Sequence, residues 1–187
     1  MRVITGSARG CRLKELEGME TRPTTDRVKE GLFNIIQFDI EGRKILDLFA
    51  GTGQLGIECL SRGAVSAVFV DRRADAVKLI RDNLKATNLT DRGRVIPGDS
   101  MEYLKTIRET FDIIFLDPPY EAGLLEPAIA HIAKFDILSP HGIIVAEHPA
   151  NMVLPALSAP YRLHRTYRYG KIGLTVYRRS GNEENEE

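Results

Sequence analysis

The amino-acid sequence predicts an α/β protein built around one mostly parallel β-sheet, and two observations support this prediction. Between residues 44 and 146, short apolar runs typical of buried strands alternate with segments whose apolar residues recur at a helical period. Such alternation requires parallel pairing through crossover connections. A glycine-rich turn that begins at Gly51 also joins the first strand of this series to the first helix, as in Rossmann-like folds.

The elements follow one another in a regular order. Short extended segments at residues 3–5 and 12–16 predict a small N-terminal β-hairpin, and a helix at about 26–38 follows, with Thr25 as its expected N-cap. Strands are then expected at residues 44–49, 67–70, 94–96, 111–116, 143–146, 161–169 and 171–178. Helices are expected between the first five of these strands, at residues 54–62, 74–86, 100–108 and 124–135. The last two strands turn at Gly170, so we expect a seven-stranded sheet whose last strand is antiparallel.

Length and composition predict a single domain with small terminal extensions. The 187 residues are 43% hydrophobic and 28% charged, which is ordinary for a globular protein. We divide the chain into an N-terminal hairpin extension (1–22), a main domain (23–179) and a disordered acidic tail (180–187). No stretch is apolar enough to span a membrane and no signal peptide is recognisable, so we expect a cytoplasmic protein without a membrane partner.

Cysteine and histidine usage predicts neither a disulfide nor a metal site. Cys11 and Cys59 lie far apart in the chain and do not form a CxxC pair. The four histidines are scattered without the spacing of metal ligands. We therefore expect a protein of a reducing compartment that uses no metal.

Charge is unevenly distributed, although the formal net charge is +0. Four acids lie in the last eight residues, whereas residues 160–179 contain six Lys/Arg and residues 1–14 contain four, in neither case with an acid. Such basic ends are compatible with a phosphate-rich partner such as a nucleic acid. Solvated strand and loop faces would explain the same pattern, and charge alone leaves both interpretations open.

The first strand leads into the sequence DLFAGTGQLGIE, which begins at Asp47. Its Gly51, Gly53 and Gly56 satisfy the G-x-G-x-x-G pattern, which lets backbone N–H groups approach a ligand at a helix N-terminus. Asp71 follows at the tip of the second strand, where an acid commonly binds a ribose. A dinucleotide oxidoreductase would share these features. Asp47, however, would repel a pyrophosphate and attract the cationic amino-acid moiety of S-adenosylmethionine.

Acidic residues end each of the first four strands of the parallel series: Asp47, Asp71, Asp99 and Asp117. The carboxyl ends of parallel strands meet at one edge of a sheet, where ligands bind in such folds. Asp99 is expected within reach of an adenine amino group, although Asp99 or Ser100 is equally expected to cap the following helix. The series as a whole predicts a cofactor site along this edge.

The fourth strand ends in the sequence FDIIFLDPPY, residues 111–120. Two consecutive prolines form a stiff turn with free carbonyl groups, and a carboxylate precedes them while an aromatic ring follows. We interpret this turn as a clamp in which Asp117 and the Pro118 carbonyl accept hydrogen bonds from an exocyclic amino group and Tyr120 stacks on the base. The base must be unpaired or flipped out to enter such a site. A turn that only ends a strand is the alternative interpretation.

These motifs resemble those of the class I S-adenosylmethionine-dependent methyltransferases that modify amino nitrogens, on the segments DLFAGTG, VDRR, GDS and DPPY. More narrowly, ITGSARGCRL, RPTTDRVKEGLFNII, DLFAGTGQLGIECLSRGA and LDPPY resemble the RsmD family of bacterial rRNA methyltransferases, from about Arg2 to Arg178. The resemblance implies a class I methyltransferase fold for residues 23–179. It also implies methyl transfer from S-adenosylmethionine to N2 of a guanine, guanine 966 in the usual rRNA numbering, of 16S rRNA. The expected partner is the assembled or nearly assembled small ribosomal subunit, without an obligate protein partner.

The resemblance also assigns roles to residues by their place in the motifs. The cofactor-binding residues expected on this basis are Thr24, Asp47, Ala50, Gly51, Thr52, Gly53, Asp71, Arg72, Asp99 and Ser100. The catalytic residues expected are Asp117, Pro118, Pro119 and Tyr120. The RNA-binding residues expected are Arg9, Arg12, Lys14, Arg22 and Arg27. Gln54 stands where small residues are common in the family, and Cys59 is expected in the core.

Three other functions stay open at this point. A DNA adenine-N6 methyltransferase would use the same clamp, although such enzymes usually carry a recognition domain that this chain is too short to contain. An NAD-dependent oxidoreductase would use the glycine turn and Asp71 but would leave the DPPY motif without a role. A non-catalytic RNA-binding module would leave the series of acids unexplained.

Overall fold

The computed structural model describes residues 1–16 and 23–181, with the side chains of residues 23–25 excepted. Its strands are β1 (Lys44–Asp47), β2 (Ser66–Asp71), β3 (Gly93–Pro97), β4 (Phe111–Leu116), β5 (Leu138–Pro149), β6 (Tyr161–Tyr169) and β7 (Ile172–Arg179). Its α-helices are α1 (Pro23–Ile36), α2 (Gln54–Ser61), α3 (Ala74–Ala86), α4 (Ser100–Thr106) and α5 (Leu125–Lys134). This order of elements confirms the α/β prediction.

The seven strands form one sheet in the order β3-β2-β1-β4-β5-β7-β6. Strands β1 to β5 pair in parallel, whereas β7 is antiparallel to both β5 and β6. The prediction of a mostly parallel sheet with an antiparallel last strand is therefore confirmed. From β1, successive strands are added first on one side (β2, β3) and then on the other (β4, β5), so the strand order reverses between β1 and β4. In open α/β sheets, ligands bind beside such a switch point. We call the edge at which β1, β2 and β4 end the carboxyl edge.

Helices cover both faces of the sheet, because its central strands are apolar on both sides. Phe33 of α1 packs with Ile57 and Cys59 of α2 in one apolar cluster. Leu104 of α4 and Ile129 of α5 lie in the other cluster, on the opposite face. All five side chains are at most 1% exposed, so the expectation that Cys59 belongs to the core is confirmed.

The N-terminal segment is a hairpin-like turn that one antiparallel bridge, between Arg2 and Arg12, closes. It is fastened to the helical layer by Glu58 of α2, whose side chain is fully buried. The Glu58 carboxylate accepts hydrogen bonds from the backbone N–H groups of Ile4 (2.8 Å) and Thr5 (3.0 Å). A buried carboxylate needs such donors, since its ionised form is costly away from water.

Two cations complete the environment of Glu58. Lys29 of α1 lies with its Nζ 3.5 Å from one carboxylate oxygen, and Nε of Arg62 lies 2.8 Å from the other. Burial lowers the pKa of Lys29, and the neighbouring Glu58 opposes this shift. The three side chains tie α1, α2 and the N-terminal segment together, so removing one partner would leave an unpaired buried charge.

Two predicted elements, α1 and β5, have a boundary that is wrong by three residues or more, and the boundaries of the other helices and strands agree within two residues. Helix α1 begins at Pro23, so Thr25 lies inside the helix instead of capping it, because proline is favoured at the first helical position. Strand β5 begins at Leu138 rather than at residue 143. The extra residues include Pro140 and Gly142, which ordinarily break strands, and the pairing of β4 with β5 shifts register in this region.

Residues 17–22 and 182–187 lie outside the described residues. The full extent of the predicted hairpin extension and the disorder of the acidic tail therefore stay predictions. Among the helices that the structure describes, none has the length and apolar character needed to cross a bilayer.

Candidate active site

The glycine turn leads from β1 at the carboxyl edge into α2. Gly51 (φ 56°) and Gly53 (φ 77°) both adopt the left-handed region, which side chains with a Cβ rarely occupy. Gly56 has a different reason to be glycine, because a Cβ there would come within 2.3 Å of the Phe69 ring on β2. The turn therefore needs its glycines for backbone conformation and for close packing of α2 on the sheet.

Asp47 lies beneath this turn and is only 2% exposed. Its Oδ2 accepts a hydrogen bond from the backbone N–H of Gly56 at 3.2 Å. Burial raises the pKa of Asp47 to about 7, the nearby Asp71 charge adds to this shift, and the bond from Gly56 partly offsets it. A buried carboxyl group of this kind favours a cationic ligand, whose charge would stabilise its ionised form.

Asp71 ends β2 and holds the glycine turn in place. Its Oδ2 accepts a hydrogen bond from the N–H of Gly51, and its Oδ1 accepts one from the N–H of Arg73, both at 2.9 Å. Carboxylate oxygens each carry a second acceptor site, so Asp71 can also accept hydrogen bonds from a ligand. Arg72, predicted to bind the same ligand, is exposed beside it.

Asp99 and Ser100 follow β3, and both make hydrogen bonds that stabilise the fold. Oδ1 of Asp99 caps α4 by accepting hydrogen bonds from the N–H groups of Met101 (2.9 Å) and Glu102 (3.1 Å). The buried Ser100 hydroxyl donates to the Leu48 carbonyl at 2.5 Å. The capping interpretation of Asp99 is thus confirmed, and its Oδ2 remains for a ligand.

The other predicted cofactor residues are placed as follows. The N–H of Ala50 donates a hydrogen bond of 3.0 Å to the Val70 carbonyl, so this N–H stabilises the fold and is not free to bind a ligand. The Thr52 hydroxyl lies 3.9 Å from the sulfur of Met1. The side chain of Thr24 lies outside the described residues.

The DPPY turn extends β4 at the same edge, two strands from β2. Asp117 is mostly buried and Pro118 is buried, whereas Tyr120 is 47% exposed. The Tyr120 hydroxyl donates a hydrogen bond of 2.7 Å to Oε1 of Glu147 on β5. Leu116 of β4 pairs with Ala146 of β5, so Asp117 and Glu147 are the next neighbours across two adjacent parallel strands.

The ionisable groups of these side chains lie close enough to shift one another's pKa. Burial raises the pKa of Asp117 well above its usual range, and Glu147 and Asp47 raise it further. Burial also raises the pKa of Glu147, although the hydrogen bond from Tyr120 opposes that shift. The pKa of Tyr120 is raised by burial and by Glu147. The carboxyl edge therefore favours positive charge and N–H donors.

A cavity of about 350 Å³ opens beside the DPPY turn, between this turn, α5 and the end of β5. Pro118, Pro119 and Tyr120 form one wall, and Leu124 and Met152 contribute to the other. Such an apolar slot with an aromatic ring at its side suits a flat ring system.

Gln54, the first residue of α2, carries an unsatisfied polar atom. Its Oε1 is buried and has no hydrogen-bond partner among the described residues. Buried acceptors are rarely left unpaired in folded proteins, so this oxygen is available to an N–H donor of a ligand beside Gly53. The chemistry of Asp47, Gln54, Asp71 and the free oxygen of Asp99 fits a ligand with an ammonium group, a ribose and an adenine.

Sequence reasoning missed Glu147 and the role of Gln54. Glu147 directly follows the apolar run 143–146, so the rule that identified acids at the ends of the first four strands, applied to the fifth, would have found it. Gln54 gives no such signal, because its unpaired oxygen is visible only in the packed structure.

The predicted RNA-binding residues do not form one patch. Arg9 and Arg12 are exposed on the N-terminal segment, and the N–H of Ser7 in the same turn donates to the carbonyl of Ser61, at the far end of α2 from the carboxyl edge. Lys14 is held by an ion pair of 3.0 Å with Asp82. Arg27 is exposed on the first half of α1, and Arg22 lies outside the described residues.

Within residues 1–16 and 23–181, no group of three or more His, Cys, Asp or Glu side chains is arranged to hold a metal ion.

The fold and the arrangement of this edge define the class of protein: the seven-stranded sheet is that of the class I S-adenosylmethionine-dependent methyltransferases. The family model described as "Conserved hypothetical protein 95" matches residues 1–178. The chain therefore belongs to this family, which is the RsmD family of methyltransferases.

Individual relatives agree with this assignment. "Putative rRNA methyltransferase YlbH" of Bacillus subtilis is 43% identical over 97% of this chain and 100% of its own length. "Ribosomal RNA small subunit methyltransferase D" of Escherichia coli is 35% identical over 100% of this chain and 93% of its own length. The solved structure of "Putative methyltransferase yhhF" from Escherichia coli superposes with a TM-score of 0.84 at 34% identity, covering 97% of this chain and 99% of that one.

Proposed function

We propose that this protein transfers a methyl group from S-adenosylmethionine to N2 of guanine 966 of 16S rRNA in the small ribosomal subunit. The observation that carries the proposal is the rigid DPPY turn, with Asp117 beside Glu147, on the same sheet edge as the glycine turn above Asp47. The names of the Escherichia coli and Bacillus subtilis relatives, which state methylation of ribosomal RNA, support the choice of substrate.

The residues of the glycine turn would hold the cofactor. Asp47 and Oε1 of Gln54 would accept hydrogen bonds from the ammonium group, Asp71 would accept them from the ribose hydroxyls, and Asp99 would accept one from the adenine amino group. When bound, S-adenosylmethionine supplies an electrophilic methyl group on a positively charged sulfur.

The DPPY turn would hold and activate the acceptor amine. The lone pair of an exocyclic amino group is delocalised into the base, which makes the nitrogen a weak nucleophile. Asp117 and the Pro118 carbonyl accept hydrogen bonds from its two N–H groups, and this fixes the amine with its lone pair out of the ring plane. Such orientation of two bound reactants supplies up to about 7–11 kcal/mol in ideal cases.

Asp117 must be ionised to accept a hydrogen bond from the amine and to stabilise the positive charge that develops on the nitrogen. Its pKa is raised by burial and by Glu147, and the positive charge that develops on the nitrogen lowers it again. In the transfer, the cofactor would supply the methyl group and keep the electron pair of the broken C–S bond, and Asp117 or water would take the proton that the amine loses as the new C–N bond forms. Tyr120, held by Glu147, stacks on the base.

The substrate is bound as part of a large particle. We propose that the exposed cations of the N-terminal segment, Arg9 and Arg12, together with Lys14, Arg22 and Arg27, contact rRNA phosphates in the assembled or nearly assembled small subunit. Phosphate contacts position a protein on its substrate without reading sequence.

One experiment tests the proposed function. Methyl-labelled S-adenosylmethionine is offered in parallel to naked 16S rRNA, small ribosomal subunits and DNA, and the labelled nucleoside is then analysed. We expect N2-methylguanosine from small subunits. Label in adenine of DNA would instead establish the DNA adenine-N6 alternative. A separate titration in which NAD binds and S-adenosylhomocysteine does not would favour the oxidoreductase alternative.

Replacing Asp71 with alanine should weaken cofactor binding. The variant removes the acceptor for the ribose and the two hydrogen bonds that fix the glycine turn, so the Kd for S-adenosylhomocysteine is expected to rise about 10- to 100-fold. Isothermal titration calorimetry measures this. Asp75→Ala, which removes an exposed acid in the first turn of α3, is the control and should leave the Kd unchanged. Equal Kd values for both variants would refute this role of Asp71.

Two substitutions of Glu147 separate its charge from its hydrogen bond. Glu147→Gln keeps an acceptor for Tyr120 but removes a neighbouring charge, which lowers the pKa of Asp117. The acidic limb of the rate–pH profile should therefore move to lower pH. Glu147→Ala also releases the Tyr120 ring, so we expect a raised KM for the small subunit in addition. Identical pH profiles for wild type and Glu147→Gln would contradict this coupling.

A further inference from the structure

The edge strand β6 presents a row of cations to solvent. Arg162, His164, Arg165 and Arg168 are exposed, and residues 160–179 contain no acid. An edge strand is commonly protected from unwanted pairing by charged side chains. Charges of either sign would serve that purpose, whereas this strand carries only positive ones.

The arginines of β6 differ from those of the neighbouring strand. On β7, Arg178 lies 3.3 Å from Asp39 and Arg179 lies 3.2 Å from Asp136, so both are ion-paired. Arg162, Arg165 and Arg168 have no acidic partner within 4.0 Å among residues 1–16 and 23–181. The charges of β7 therefore stabilise the fold, while those of β6 are available to a partner.

The pKa of His164 reflects the positive charges around it. Its pKa is lowered by burial first, and then by the positive charges of Arg178, Arg162 and Arg165. Asp39 opposes this shift but is already paired with Arg178. The surface around the middle of β6 is thus electropositive on the side that faces α1.

Two tyrosines share this side of the strand. Arg165, Tyr167 and Tyr169 pair with Val176, Leu174 and Ile172 of β7, whose side chains pack in the cluster beneath α1. Paired residues of a ladder point to the same face of the sheet. The three β6 side chains consequently line the α1 side together, and the Arg165 guanidinium lies 5.3 Å from the centre of the Tyr167 ring.

A groove of about 480 Å³ runs along the junction between α1 and these tyrosines. Its helical wall contains Arg27, Glu30 and Asn34, and Tyr167 and Tyr169 form the other wall. Tyr169 fits closely over Gly31 of α1, where a Cβ would come within 2.5 Å of the tyrosine ring. The groove thus combines aromatic rings with a cation and with polar groups able to bind base edges.

The groove leads to the carboxyl edge. Because β7 is antiparallel to both of its neighbours, β6 runs in the same direction as β4 and β5, so Tyr169 lies at the edge that carries Asp117. Three strand spacings separate β6 from β4, which corresponds to roughly 14 Å. From Arg162 to Tyr169 the strand extends about 23 Å, which is long enough to follow several nucleotides.

We propose that the α1–β6 groove binds a single-stranded segment of the substrate RNA that is continuous with the target nucleotide. Bases stack on Tyr167 and Tyr169, phosphates contact Arg27, Arg162 and Arg165, and Glu30 accepts hydrogen bonds from base amino groups. Aromatic platforms beside a basic track are the usual means of binding unpaired RNA. The proposal rests on the proposed function, since it names a second contact surface for the same substrate.

Charge removal tests the phosphate contacts. The double variant Arg162→Gln/Arg165→Gln is compared with Arg108→Gln/Lys134→Gln, which removes two exposed cations at α4 and α5 on the opposite face. Binding of a fluorescein-labelled single-stranded RNA carrying the target guanine is followed by anisotropy over a range of salt concentrations. The β6 variant should flatten the plot of log K against log salt by about 1.4, at about 0.7 per lost contact. The control variant should keep the wild-type slope.

Ring removal tests the stacking. Tyr169→Leu should weaken binding of the same RNA about tenfold, whereas Tyr169→Phe should bind like wild type, because both aromatic rings stack. Calorimetry with S-adenosylhomocysteine verifies that each variant is folded. Unchanged RNA binding in both β6 variants would overturn the proposal, as would a loss that appears only with intact small subunits, which would identify ribosomal protein as the occupant.

The result is distinguishable from failure of the proposed function. Methylation of small subunits by the wild-type protein is measured in parallel with labelled S-adenosylmethionine. If the wild type methylates rRNA while the β6 variants bind RNA normally, only the groove proposal fails. If the wild type methylates no RNA, the proposed function itself fails.

Discussion

Asp117→Ala is expected to reduce methyl transfer to small subunits by about 10³-fold while leaving the affinity for S-adenosylhomocysteine within about threefold of wild type. The variant removes the acceptor proposed to fix the target amine, but it leaves the proposed cofactor-binding carboxylates of Asp47, Asp71 and Asp99 in place. Loss of activity with retained cofactor binding would locate Asp117 at the acceptor side of the site. Single-turnover rates and calorimetry measure the two quantities.

Glu121→Ala provides a matched control for this prediction. Glu121 is an exposed acid four residues beyond Asp117, just after the DPPY motif, and its removal changes the net charge by the same amount. We expect near-wild-type activity from it. Normal methylation by Asp117→Ala would mean that the amine is not held by this carboxylate.

Asp47→Asn is expected to raise the stability of the protein without ligand at pH 8 and to abolish cofactor binding. The pKa of Asp47 is raised by burial to about 7 in the folded state. Its stabilising contribution is therefore fully present only below the unfolded-state pKa near 4, and it is lost as the pH rises through about 7. Asparagine cannot ionise, so the free energy of unfolding at about pH 8 should increase by about 2–4 kcal/mol.

Cofactor binding is expected to depend on pH in the opposite direction from the stability of the protein without ligand. If the ammonium group binds ionised Asp47 as proposed, the affinity of the wild-type protein should fall about tenfold per pH unit below about pH 7. Binding should then release protons at pH values between the lower pKa of Asp47 in the complex and about 7. Asp47→Asn should lose both the affinity and this pH dependence. Denaturant unfolding and calorimetry in two buffers measure the effects. Asp91→Asn, at an exposed acid, is the control, and pH-independent wild-type affinity would contradict the role of Asp47.

The two predictions follow from one electrostatic feature of the carboxyl edge. Asp47, Asp117 and Glu147 are all largely buried, and each has its pKa raised chiefly by burial. Among residues 1–16 and 23–181, none of these three acids has a Lys or Arg within ion-pair distance, whereas Lys29 and Arg62 satisfy the buried Glu58. Binding of a cationic donor next to an amine would supply the missing positive charge and N–H groups.

The sheet could be predicted from the sequence because its signals are local. Alternating apolar runs and amphipathic segments identified every strand, and the turn at Gly170 identified the final antiparallel pair. The start of β5 could not be predicted, because His141 adopts a positive φ of 60° between Pro140 and Gly142. That irregular stretch is anchored to β4 by the pairing of Leu138 with Phe111 and by the Ser139 hydroxyl, which donates a hydrogen bond of 3.1 Å to the Phe111 carbonyl.

The site was predictable to the extent that it depends on strand ends. Asp47, Asp71 and Asp117 follow from the rule that acids end parallel strands at one edge, and Glu147 would have followed as well. The anchoring of the N-terminal segment by Glu58 was not predictable, since it joins residues more than fifty positions apart. The tyrosine-lined groove depends on the register of β6, which shifts between Leu163 and Arg165.

The account depends on a cationic sulfur donor and a nucleobase amine meeting at the ends of β1 and β4. A crystal structure with S-adenosylhomocysteine tests this most directly. We expect its ammonium group to contact Asp47 and its sulfur to face the DPPY turn at Asp117. A ligand found elsewhere, or one that leaves Asp47 unpaired and turns its sulfur away from Asp117, would contradict the account.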